Sequence, residues 1–532
     1  MTSAPRRRRW VGWVALAITG TAAGMMAALS PSQADDHGST LKGSFGSVAS
    51  ISVAHGGARV PRSFLGFSLE YDGLASWEGL GDGPVDPVLV RLVRNLGGPG
   101  RGAPVLRVGG NSTDVSWWNP TGTRRPRGVR YDITRRWLKR TGSFLKATGS
   151  RVLIGLNFAG PGHSIGPDWA RAAAAGLPRG SIQAFEVGNE PDLYGVVPLY
   201  QTHGSSPAGP ARYNRYARRR SYRFDRYRAE FGRFARRVRR AVPHARLAGP
   251  GFATSRWIGG VPRFVGAERA SLGLLTYHRY PLRSCHLRPG AAQYPTIEHL
   301  LSDASSRGLA DQVAGYAALA RRSGLPFRVD EMNSVSCGGT RGVGNSFASA
   351  LWASDTLFEL ARLGAAGVNF HGRYHTFYSP FYFRRLRERA RRWVAQVAPL
   401  YYGILLFAKA TPNGASVHRV RVSTPGNLKV WATIDRSRTL RVVLINKEPN
   451  ASSPVRLLIP GAQRPGQLQR LLAPAADARD GISFAGQTFG RLTTTGRPAG
   501  PPVTQAIPGE HGTYTVPMPA ASGALLTIPP GT

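Results

Sequence analysis

Lysine and cysteine are rare in this sequence, and acidic residues are few beside basic ones. Only six of its 70 basic residues are lysines, and 29 Asp+Glu leave a formal net charge of +41 over 532 residues. A surplus of that size attracts polyanions such as acidic polysaccharide, nucleic acid or a membrane surface, but says nothing about fold. Set among abundant Ala and Gly, the arginine reads mainly as coding bias. The two cysteines, Cys285 and Cys337, are too few for a disulfide framework and, with no histidine cluster nearby, for a zinc site. In an oxidising compartment such a pair can form one disulfide, if the two α-carbons come close enough. No His/Asp/Glu set stands at metal-ligand spacing, so no metal or cofactor is expected. No repeat of solenoid or propeller period recurs. Outside the N-terminus no segment has the roughly 18 uninterrupted apolar residues that a membrane span needs.

The N-terminus is the exception. Arg6–Arg9 precede an apolar run from Trp10 to Leu29, and Ser32-Gln33-Ala34 stand before Asp35-Asp36. A basic segment, an apolar segment and a small-x-small site describe an export leader over 1–34, and the paired arginines admit the twin-arginine route. The run is long enough that an uncleaved anchor is the alternative. The expectation is a secreted, extracellular protein with no membrane span once the leader is removed.

From Phe64 onward short apolar strand candidates alternate with stretches long enough for a helix: Phe64–Tyr71, Val105–Gly109, Val152–Phe158, Ala184–Val187, Arg246–Gly251, Leu274–Tyr280, Phe327–Asp330 and Val368–His371. Eight such units predict an α/β fold, a (β/α)8 TIM barrel over 55–398. Phe224, Tyr227, Phe231, Phe234, Val238 and Val242 recur at three and four residues, the apolar stripe of an outer helix otherwise covered in arginine. Beyond Leu400 the helical pattern stops, and short strands separated by Pro/Gly/Asn/Asp/Ser turns predict an all-β sandwich over 399–532. Ser47–Ala54 alternates weakly and is expected to join that distant sheet.

The chemistry gathers around Phe185-Glu186-Val187-Gly188-Asn189-Glu190-Pro191-Asp192. Its first half reads as a buried strand, which Asn-Glu-Pro ends because proline has no amide hydrogen to continue a ladder. Alternation puts Glu186, Gly188 and Glu190 on one face and Asn189 on the other until the strand frays. Three strands later Phe327-Arg328-Val329-Asp330-Glu331-Met332-Asn333-Ser334 supplies Glu331. Strands four and seven of an eight-stranded barrel face each other across the mouth, where such folds carry their active sites. Two opposed carboxylates there suit glycosidic bond cleavage. Asp330 is the rival to Glu331, ranked lower because alternation turns it to the opposite face. Glu186, a pleat deeper, calls for a buried cation, and Arg107 on strand two is the expected partner. Glu70, Asn111, His278, Tyr280 and His371 add polar and aromatic groups at other strand ends.

Phe-Glu-Val-Gly-Asn-Glu-Pro, Val-Asp-Glu-Met-Asn-Ser and Val-Asn-Phe-His-Gly together resemble glycoside hydrolase family 79 of clan A, which contains β-glucuronidases and heparanases. The resemblance extends over nearly the whole mature chain and implies a barrel followed by a sandwich. It implies Glu190 as acid/base and Glu331 as nucleophile, hence a retaining mechanism. By the same resemblance Asn189 contacts the sugar 2-hydroxyl, Tyr280 stands beside the nucleophile, and Glu70 and Asn111 line the non-reducing sugar pocket, where heparanases carry Asp and Thr. A glycine-rich loop after strand seven, here Val335–Gly339 with Ser336, Cys337 and Gly338, is implied to bind the uronate carboxylate. Ser336 stands where relatives carry Tyr, and Cys337 where heparanases carry Gly. Tyr378 is the candidate for a further pocket tyrosine, with Tyr374 as rival. A Cys285–Cys337 bridge would tie the strand-six loop to the carboxylate loop.

These readings imply a secreted retaining β-glucuronidase acting on glucuronides or acidic glycans, with a carbohydrate and no nucleic acid as partner. The alternatives are a heparanase-like endo-glucuronidase, another clan A exo-glycosidase and, from a different class, a non-catalytic polyanion-binding protein. The intact pair of glutamates argues against the last.

Overall fold

The computed structural model describes residues 47–52, 57–78, 85–98, 101–160, 164–197, 217–385, 393–412 and 414–530. The leader read over 1–34 lies outside them. Eight parallel strands close a barrel: Gly66–Leu69, Val105–Val108, Val152–Leu156, Ile182–Val187, Leu247–Phe252, Leu272–Arg279, Phe327–Met332 and Gly367–Gly372, numbered one to eight below. All eight fall on the expected segments. They are almost wholly buried, as parallel strands covered on both faces must be. The helix Phe224–Ala241 shows why the covering layer forms. Phe224, Tyr227, Phe231, Phe234 and Val238 are buried, while Arg226, Arg233, Arg236 and Arg240 are exposed. Among the described residues no helix is long and apolar enough to cross a membrane.

Strand seven carries an irregularity that matters for the site. Tyr277 pairs with Val329 but His278 with Glu331, and on the other side Val329 pairs with Val368 but Met332 with Phe370. One residue too many stands between these pairs, a bulge at the rim of the barrel. The bulge breaks the alternation assumed from sequence. Asp330 and Glu331 both reach the barrel interior, so Asp330 does not face away.

The all-β region is two packed sheets. One contains the N-terminal strand Ser47–Ile51, antiparallel to Val420–Ser423 and parallel to Ser453–Leu458, with Thr513–Met518 beyond. The other is built on Leu428–Ile434, Leu440–Asn446, Ser522–Ile528 and Gly466–Leu472. Along Leu440–Asn446, Val442 and Leu444 enter the core between the sheets, whereas Val443 and Ile445 enter the barrel's core. The two-residue period of one strand therefore serves two cores. The change of rhythm read near Leu400 falls inside a helix, Pro399–Ala410, so the β region begins later than 399. That helix is buried nearly all round, which hides the polar stripe that would have marked it. Gly403 lets it meet the helix Phe347–Arg362, since a Cβ there would stand 2.1 Å from the Ala350 carbonyl oxygen.

Candidate active site

Strand four ends at Val187, and Gly188 turns the chain out of the strand with φ +75°. A Cβ at Gly188 would lie 2.4 Å from the Tyr194 hydroxyl. Glu190 follows, also left-handed at φ 51°. Because extended geometry stops one residue before Asn189, the expected division of faces does not hold. Asn189 and Glu190 both turn over the mouth.

Asp114, which sequence reasoning passed over, fixes this turn. Its Oδ2 accepts from the Asn189 amide at 3.0 Å and the Tyr194 hydroxyl at 2.6 Å, and its Oδ1 from the amides of Phe158 and Ala159. A lone aspartate in a loop after strand two gives no signal of four partners brought from elsewhere. Asp192 accepts from the Ala253 and Thr254 amides and the Thr254 hydroxyl, tying the same turn to the end of strand five. Asp114→Asn puts an amide donor among these donors. We expect kcat to fall by about 10²-fold through displacement of the Asn189–Glu190 turn. Steady-state kinetics beside an unfolding curve checks this, and unchanged kcat would refute the clamp.

Arg107 on strand two joins the two carboxylate-bearing strands. Its Nε donates to Glu186 Oε2 at 2.7 Å, as charge matching required, and Nη1 donates to Glu331 Oε2 at 2.6 Å and to the Ser68 hydroxyl at 3.0 Å. Nη2 donates to Asn189 Oδ1 at 2.9 Å and lies 3.2 Å from His278 Nε2. The link to Glu331 was not foreseen. The Tyr280 hydroxyl donates to Glu331 Oε1 at 3.0 Å. Burial and the Glu331 charge raise the tyrosine's pKa far above its ordinary value, so it stays a donor. Burial opposes ionisation of Glu331, but His371, His278 and Arg107 outweigh it and hold this carboxyl well below the usual range.

Glu190 faces Glu331 with little between them. An oxygen of each and a ring nitrogen of His278 all lie within 4.8 Å of one another. His278 Nδ1 is 3.0 Å from Glu190 Oε1. Burial and Arg107 disfavour a charged ring here, but Glu331 and the contacts to Glu186 and Glu190 raise its pKa well above the ordinary value. The Glu190 side chain is 19% exposed against 9% for Glu331, so Glu190 is the one more open to solvent.

Glu70 accepts from the amides of Asn111 and Ser112 at 3.2 and 2.7 Å, and Asn111 Oδ1 accepts from Asn189 Nδ2 at 3.2 Å. Hydrogen bonds thus run from Glu70 through Asn111 to Asn189, the neighbour of Glu190. Tyr378 is buried, with its ring 6.2 Å from that of Tyr280 and 6.1 Å from His371. Its rival Tyr374 packs on Trp77 instead. Arg373, also missed from sequence, is close enough for its charge to act on both His371 and Tyr378.

In the loop after strand seven, Cys337, Gly338 and Gly339 take φ of 61°, 90° and 82° in succession. The Ser336 hydroxyl donates to the Leu282 carbonyl, so its side chain serves the loop. Cys337 is bonded to Cys285, and its carbonyl accepts from the Ser284 hydroxyl at 3.1 Å. The bridge closes 52 residues, and paired strands Leu282–Arg283 and Val335–Ser336 run beside it. Cys285→Ser with Cys337→Ser should cost about 2–4 kcal/mol in urea unfolding. A loss near zero would mean that the strand pair alone fixes the loop.

Two sets, Glu186/His278/Asp330 and Glu190/His278/Glu331, bring ligand atoms within 4.8 Å from residues far apart in sequence. Arg107 bonds one member of each set, Glu186 and Glu331.

Residues 430–525 match the glycosyl hydrolase family 79 C-terminal beta domain. A β-glucuronidase of Aspergillus niger is 23% identical over 515 residues, covering 87% of this chain and 90% of its own. The fold is similar to that of a 4-O-α-L-rhamnosyl-β-D-glucuronidase from Fusarium oxysporum (TM-score 0.72, 18% identity, 90% of this chain and all of that one). It is also similar to a family 51 arabinofuranosidase from Xanthomonas axonopodis pv. citri (TM-score 0.61, 15% identity, 91% of this chain and all of that one). A barrel mouth with two opposed carboxylates, followed by this β domain, defines a glycoside hydrolase. Within that class, the matched C-terminal β domain is that of family 79.

Proposed function

We propose that the protein is a retaining β-glucuronidase that hydrolyses glucuronides or glucuronic-acid-containing glycans by double displacement. The observation that carries this reading is the approach of the Glu190 and Glu331 carboxylates to within 4.8 Å. That approach belongs with the short separation of about 5–5.5 Å of retaining enzymes rather than the about 6.5–9.5 Å of inverting ones. Glu331, kept ionised, attacks the anomeric carbon while Glu190 gives its proton to the departing glycosidic oxygen. Glu190, now a carboxylate, takes a proton from water, whose oxygen attacks the same carbon and releases Glu331. His278 orients Glu190 throughout, and Asn189 meets the sugar 2-hydroxyl.

An acidic glycone is supported by the positive field of Arg373 and by the tight turn at Cys337–Gly339, where the Gly339 amide donates back to the Ser336 carbonyl and those of Cys337 and Gly338 are the ones that can meet an anion. The Aspergillus niger and Fusarium oxysporum relatives are named as glucuronidases. Export rests on the Arg6–Arg9 leader, and sequencing the N-terminus of the secreted form tests it. The activity itself is tested with aryl β-glycosides differing only at C5, with the first-formed anomer read by proton NMR. The β-glucuronide should be cleaved with the β-anomer released first. Cleavage of the glucoside in preference to the glucuronide, or an α-anomer first, would overturn the reading.

A further inference from the structure

Asp330, like Glu186 beside it, is a carboxyl of the buried cluster that takes no step in this reaction. Its side chain is fully buried, and no hydrogen-bond donor among the described residues reaches either of its oxygens. Two basic side chains approach it, His278 Nε2 at 3.6 Å from Oδ1 and Arg107 Nε at 4.0 Å from Oδ2. Glu186 Oε1 is equally without a donor, with His278 Nε2 again 3.6 Å away. Oxygens of Glu186 and Asp330 lie within 4.8 Å of each other. As two carboxylates they would offer each other only acceptors, leaving three buried oxygens unsatisfied and two like charges in contact. One proton turns the contact into a charge-assisted O–H···O⁻ bond. Its place follows from Arg107. The guanidinium donates to Glu186 at 2.7 Å and holds it ionised, but stands off from Asp330.

The other charged groups facing the pair agree with this placement. Arg328, on the same strand, is engaged by Asn369 and by the carbonyls of Ser63, Phe64 and Val368. Glu331 draws on Arg107 from the far side. Burial and the Glu186 charge both push Asp330 well above the ordinary carboxyl range.

We propose that Asp330 is a positioning residue, a neutral acid that keeps its proton and donates a hydrogen bond to Glu186. Arg107 is then shared by two carboxylates instead of three, and enough of its charge is left to keep Glu331 ionised. The second half rests on the assignment of Glu331 as nucleophile; the first does not.

The test compares Asp330→Leu and Asp330→Asn with the wild type. The leucine removes the donor, so Glu186 competes harder for Arg107 and Glu331 becomes easier to protonate. We expect kcat to fall about 10–100-fold with little change in KM, and the acidic limb of the rate profile to move to higher pH. The asparagine is neutral and still donates, and should restore kcat to within about 3-fold and return the limb to its place. Independently of substrate, the infrared difference between wild type and Asp330→Asn at neutral pH should contain a protonated-carboxyl carbonyl band. Absence of that band, or an asparagine variant as impaired as the leucine, overturns the proposal. The band needs no turnover, so failure of the glucuronidase reading would be seen separately.

Discussion

Glu331→Gln should lower kcat on an aryl β-glucuronide by on the order of 10⁴-fold or more, with binding retained. The amide oxygen can still accept from Tyr280 or Arg107, so the pocket keeps its shape while the attacking atom is lost. Glycoside binding by calorimetry should therefore persist when turnover is gone. Loss of the partner carboxylate acts differently. Glu190→Ala removes the proton donor, so kcat/KM, which reports the first step, should fall greatly for alkyl leaving groups and little for activated phenols, which depart without protonation, while kcat falls for both through loss of the base that activates water. Near-normal turnover by Glu331→Gln would end the nucleophile assignment.

Arg107→Met should cost about 3–5 kcal/mol in urea unfolding at neutral pH, because Glu186 and Glu331 are left buried without their cation. The methionine fills much of the same volume, so lost charge dominates over a cavity. The sign with pH follows from the depressed carboxyls. Burial raises Glu186, but Arg107 brings it down to about 2 from an ordinary 4.5. A carboxyl depressed in the fold stabilises it above the unfolded value, and loses that contribution as pH falls through the folded one. The gap between wild type and Arg107→Met should thus be widest above about pH 4.5 and close progressively below it. A gap that did not change with pH would mean that packing, not charge, makes Arg107 necessary. Activity should be lost as well, since Asn189 and Glu331 share this one guanidinium.

The barrel was legible because each of its strands is a short apolar run between helical stretches, and burial on both faces leaves that signature undisturbed. Glu190 and Glu331 were legible for a related reason: each closes such a run, and the topology opposes strands four and seven. What could not be read were departures from period two. Nothing in Val329-Asp330-Glu331 marks the bulge that turns Asp330 inward, because the surplus residue is defined only against neighbouring strands. Asn189 was misplaced likewise, by a glycine whose positive φ sequence permits but does not require. Asp114 and Arg373 act through partners remote in sequence, and no local pattern announces such contacts.

The N-terminal strand Ser47–Ile51 sets an order of events during synthesis. It is made before every other described element, yet its partners Val420–Ser423 and Ser453–Leu458 are made only after the whole barrel. The sheet that holds it therefore cannot close until nearly the whole chain has emerged, and the intervening barrel must grow with a free strand waiting at its start. A fragment beginning after the barrel would carry a slot between two strands with unpaired backbone on both sides, a template for association with other chains. The two halves of the molecule are thus poor candidates for separate expression. Supplying the first strand as a peptide to the C-terminal fragment should restore solubility where the fragment alone aggregates.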